Sequence, residues 1–117
     1  MKYILLLTMA AVGLMAADAT GVWTGTFTPA GREQGPAYLV LKQEGTKLTG
    51  TAGPTVDEQY QIRNGKAENG EVTFEVTNDD ATMKFVLKQE GNGISGDVSR
   101  ERDGEVQTAK LAVTKNK

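Results

Sequence analysis

The sequence predicts an all-β protein: an eight-stranded antiparallel up-and-down barrel preceded by a signal peptide. Three observations carry that expectation. Apolar and polar residues alternate with period two from Thr20 onward, turn dipeptides punctuate the alternation at short intervals, and no later segment carries apolar residues at helical spacing.

The leader comes first. Met1-Lys2 gives a short positive start, Tyr3 to Leu14 is apolar apart from Thr8, and Ala17-Asp18-Ala19 has the small-x-small form of a processing site. Residues 1–19 are therefore expected to be a signal peptide cut after Ala19, leaving residues 20–117 as a single domain. The apolar run falls short of the roughly 20 residues that span a bilayer. With no cysteine available for a lipid, no stable membrane anchor is expected after cleavage. The mature chain is expected to be secreted or periplasmic.

The strands follow. Alternation and turns place them at about residues 21–28, 36–43, 47–52, 58–64, 71–78, 81–89, 93–101 and 105–115. The clearest is Glu71-Val72-Thr73-Phe74-Glu75-Val76-Thr77, in which Val72, Phe74 and Val76 share a face opposite charged and hydroxyl side chains. In the next strand Met83, Phe85 and Leu87 point inward, and Val86 interrupts an otherwise polar outer face. The full inward set is Trp23, Phe27, Leu39, Leu41, Leu48, Ile62, Val72, Phe74, Val76, Met83, Phe85, Leu87, Ile94, Val98, Leu111 and Val113.

Turn chemistry fixes the pairing of neighbours. Asn69-Gly70 and Asp103-Gly104 accept positive φ at both central positions of a type I′ hairpin, and Glu44-Gly45 and Gly91-Asn92-Gly93 suit slightly longer connections. Pro29, Pro36 and Pro54 are placed in loops, since proline cannot donate to a ladder. Eight strands in an open sheet would leave two bare edges and one uncovered face, and no helix is available to cover it. Closure removes both problems; a two-sheet β-sandwich is the alternative.

The chain also repeats itself. Val40-Leu41-Lys42-Gln43-Glu44-Gly45 recurs as Val86-Leu87-Lys88-Gln89-Glu90-Gly91, and Leu48-Thr49-Gly50 corresponds to Ile94-Ser95-Gly96 at the same offset of 46. Two related four-stranded halves are expected. Gln43 and Gln89 share the parity of the inward leucines and belong at the inner rim.

Gly21-Val22-Trp23 resembles the G-x-W that opens the first strand of the lipocalin and avidin families, the calycins, and Leu48-Thr49-Gly50-Thr51 resembles the third strand of avidins. The chain as a whole is similar to short exported bacterial proteins of unknown function. The calycin resemblance implies a closed barrel with the tryptophan across one end. It does not extend to a biotin site, because avidins stack biotin among several tryptophans and Trp23 is the only one here.

Composition narrows the function. Thirteen lysines and arginines stand against 15 acids, a net charge of −2, whereas nucleic acid and anionic membranes call for a basic surface. Histidine and cysteine are absent, which excludes Ser-His-Asp and Cys-His nucleophilic machinery and the commonest transition-metal ligands. No metal or cofactor is expected. A calcium site at Asn78 to Asp80 is set aside in favour of an ordinary turn. With a barrel interior filled by side chains, any site belongs at a mouth, beside the connections Pro29 to Gly35 and Gly53 to Asp57. Arg32, Tyr38, Tyr60 and Arg63, with Glu33, supply the polar and stacking groups expected there. The expected role is a non-catalytic binding or interaction module of the cell envelope or extracellular space, with an unknown small molecule or envelope protein as partner. The alternative is a hydrolase using paired carboxylates, with Asp57-Glu58, Asp79-Asp80 and Asp97 with Glu101 as candidates.

Overall fold

A computed structural model describes residues 18–77 and 81–116. Eight strands follow in chain order: β1 (Gly21–Pro29), β2 (Gly35–Glu44), β3 (Lys47–Thr55), β4 (Glu58–Glu68), β5 (Glu71–Thr77), β6 (Thr82–Glu90), β7 (Gly93–Arg102) and β8 (Glu105–Lys115). Each pairs antiparallel with the next, and β8 returns to β1 to close the barrel. The architecture is the up-and-down barrel and not the sandwich. No helix occurs among the described residues. The expected leader up to residue 17, the carboxylates of Asp79-Asp80 and the turn Asn78 to Asp80 lie outside the described residues.

Turn chemistry decides the hairpins. Asn69 (φ 55°) with Gly70 (φ 82°) and Asp103 (φ 53°) with Gly104 (φ 82°) adopt the paired positive φ that a type I′ turn requires. Glu44 pairs with Lys47 and Glu90 with Gly93, so the connections led by Gly45 and Gly91 are two-residue turns, tighter than expected. The prolines differ from expectation as well. Pro29, Pro36 and Pro54 fall within strand ends instead of loops. Pro29 closes β1, Pro36 is second in β2, and Pro54 sits in the register shift between Ala52 and Thr55, so all three are where a ladder can spare a donor.

Alternation delivers the core. Fourteen of the expected inward residues are buried, and Phe27 and Met83 are partly buried against them. The middle is filled: Phe74 and Phe85, directly opposite on β5 and β6, stack with ring centroids 4.5 Å apart. Ala37, Ala52, Ala67 and Ala109 complete the lining. The two hairpins of matching sequence have matching register. Leu39, Leu41 and Gln43 face Ala52, Gly50 and Leu48, and Phe85, Leu87 and Gln89 face Val98, Gly96 and Ile94, every pair displaced by 46. Val40 and Val86, equivalent in that offset, are exposed on the outer wall.

Candidate functional site

The two ends of the barrel differ. The end bearing the turns led by Gly45, Asn69 and Gly91 is closed by the residues just before β1. Ala19 is fully buried; its N–H donates to Gln43 Oε1 (2.8 Å), and its carbonyl accepts the indole N–H of Trp23 (2.9 Å). Gln89 Nε2 donates to the Asp18 carbonyl (3.0 Å). Both glutamines stand at the inner rim, as parity requires. Lys115 lies over the Trp23 ring, 5.9 Å from its centroid.

The Thr20 N–H, 2.8 Å from Asp18 Oδ1, holds the Asp18 carboxyl below its ordinary value, with help from the Thr20 hydroxyl and Lys115 against a slight desolvation. A carboxyl whose pKa is depressed by folding stabilises the fold above its unfolded value and loses that contribution as pH falls through the folded one. Asp18→Ala is therefore expected to melt below the wild type at pH 7, and the gap is expected to close below about pH 4. Thermal melts across that range check it.

The opposite end is open. A cavity of about 220 Å³ enters the barrel there. Leu39, Val76, Phe85 and Leu111 form its floor and walls, and Phe27, Tyr60 and Met83 stand around its opening. Glu58 and Tyr60 are among its lining residues, and the Tyr60 hydroxyl donates to Glu58 Oε2 (2.9 Å). Small residues make the space: Ala37 and Ala52 occupy positions that elsewhere in the barrel carry leucine, valine or phenylalanine.

Phe27 and Met83 also border a second, more polar hollow of about 450 Å³ between the β1–β2 connection and the β7–β8 hairpin. Arg32 and Arg100 line it, and Arg100 Nε donates to Gln107 Oε1 (3.0 Å). Residues 101–108 of that hairpin are exposed throughout. Val106, on that hairpin, is a large exposed apolar side chain.

The four residues expected at a mouth are thus divided. Tyr60 lies on the rim of the apolar cavity, and Arg32 lines the adjoining hollow. Tyr38 and Arg63 belong instead to the outer wall, because they alternate with the inward Leu39 and Ile62, and Arg63 stands opposite the outward Glu75. Glu33 is exposed in the β1–β2 connection. Among the carboxylate candidates, Glu58 borders the apolar cavity, Asp57 is exposed in the adjoining turn, Asp97 pairs with Lys110 on the outer wall, and Glu101 is exposed on the projecting hairpin. No group of three or more Asp or Glu side chains among the described residues is placed to hold a metal ion. Sequence reasoning missed Ala37, Ala52 and the rim role of Glu58. Continuing the parity of Leu39 back to Ala37, and of Leu48 on to Ala52, finds the first two. No family model, curated protein or solved structure matches the chain, so what the open mouth does has to be read from its own geometry.

Proposed function

We propose that this chain is an exported, non-catalytic binding module of the cell envelope or extracellular space that takes a small, mainly apolar molecule into its open mouth. The observation that carries the reading is the apolar cavity of about 220 Å³ at one end of a barrel whose other end is plugged. An apolar hollow with a few convergent polar groups is the usual form of a small-molecule site. The volume lies below the roughly 300–1,000 Å³ of sites for drug-sized ligands, so the fitting occupant is compact: a fused aromatic pair or a short branched chain. Tyr60 and Glu58 offer one hydrogen-bonding point at the rim, which suits a ligand bearing a single hydroxyl or amine. Export rests on the N-terminal leader pattern.

The test is calorimetric titration with 2-naphthol, an apolar bicycle with one hydroxyl. Binding is expected in the wild type. Ala52→Leu, which fills the cavity from β3, is expected to weaken it at least tenfold while leaving the thermal midpoint unchanged or higher, because the added methyls enter existing space. Equal affinity in the two proteins would place binding elsewhere and end this reading.

A further inference from the structure

We infer that the leader is removed on the N-terminal side of Asp18, so that the mature chain begins at Ala17 or Asp18 and keeps Ala19 as the plug of the closed end. The inference rests on the export reading above. In the sequence, Ala17-Asp18-Ala19 favours a cut after Ala19. In the fold, however, Ala19 has no exposed surface, its N–H and carbonyl are both engaged, and the Asp18 carbonyl is held by Gln89.

Three consequences of a cut after Ala19 count against it. The Trp23 indole N–H, in a fully buried side chain, would lose its acceptor, and a buried donor without a partner is costly. The oxygen of Gln43 would lose the Ala19 N–H, and the amide nitrogen of Gln89 would lose the Asp18 carbonyl. The space Ala19 fills, against the Trp23 end of the core, would be vacated. Packing also supplies its own reason for a small residue at position 19, so the small-x-small pattern needs no cleavage to account for its last member. A cut before Asp18 keeps a small residue, Ala16 or Ala17, next to the bond on the leader side, with Leu14 or Met15 in place of the motif's outer small residue.

A second observation favours a start at Asp18 over one at Ala17. Gln89 Oε1 is buried with no partner among the described residues. Its own amide nitrogen already grips Asp18. Hydrolysis of the Ala17–Asp18 bond by a leader peptidase adds water across the amide, leaving a carboxylate on the leader and an α-ammonium on Asp18. That ammonium carries three rotatable hydrogens where the amide carries one fixed N–H, on the same residue whose carbonyl the Gln89 amide holds, and a donor is what the orphaned oxygen lacks.

The test is to express the full chain in an exporting bacterial host, recover it from the periplasm or medium, and read its first residues by Edman degradation and intact mass. Ala17 or Asp18 is the expected start. A start at Thr20 would overturn the inference and leave export standing. Retention in the cytoplasm with Met1 as the first residue would overturn both.

Discussion

Replacing Phe74 by alanine is expected to cost about 3–5 kcal/mol, enough to leave a domain of ordinary stability close to its unfolding threshold. The ring is 2 % exposed, lies between Val72 and Val76 on the inward face of β5, and stacks on Phe85 across the β5–β6 ladder. Truncation removes buried surface, a stacking contact and the filling of mid-barrel, and a closed ring of strands collapses poorly around the hole. Thr73→Ala, the next residue along and facing outward, is expected to cost less than half as much. Denaturant melts with an unchanged slope decide between them. Equal losses would mean the faces of β5 are assigned wrongly.

Gly50→Ala is expected to be comparably damaging, at about 2–6 kcal/mol, by the opposite mechanism. Gly50 pairs with Leu41, and a Cβ built on it collides with the carbonyl oxygen of Val40 in the neighbouring strand, a backbone atom that cannot swing away. Its φ of 137° adds strain for any side chain. Gly45, in the adjacent turn at φ 65°, has open space around it, so Gly45→Ala is expected to cost only the left-handed strain, about 1–2 kcal/mol. The contrast between two glycines five residues apart, measured by the same melts, separates close approach from backbone conformation. Gly96, which stands to Leu87 as Gly50 does to Leu41, is expected to behave as Gly50 does.

The strands were legible because two independent local signals agree at nearly every boundary: period-two alternation within the strand and positive-φ residues at its end. Where only one signal is present, the structure departs from the expectation. Proline ends ladders, which marks Pro54 and Pro36 as loop residues in the sequence, yet a bulge and a strand end accommodate them. Ala37, Ala52, Ala67 and Ala109 escaped the inward set because alanine is common on both faces, and hydrophobicity alone does not assign it a side.

The site was less legible, since a mouth is made by what is small or missing as much as by what is present. Nearness to the connections groups Tyr38 and Arg63 with Tyr60, whereas parity sends Tyr38 and Arg63 outward and Tyr60 to the rim. The closed end was hidden for a different reason: Ala17-Asp18-Ala19 satisfies the chemistry of a processing site, and the same small residue fills the plug. Gln43 and Gln89 were the one clue, as two amides of inward parity must find partners, and they find them on Ala19 and Asp18.

Under the proposed function the barrel is plugged at one end and takes its ligand at the other. Methyl-resolved NMR of the protein titrated with 2-naphthol tests it most directly. Shifts are expected to concentrate at Ala37, Ala52, Met83 and Leu111 around the open cavity, with Ala19, Leu41 and Leu48 at the plugged end unmoved. Shifts centred on the plugged end, or on Val40 and Val86 of the outer wall, would contradict it.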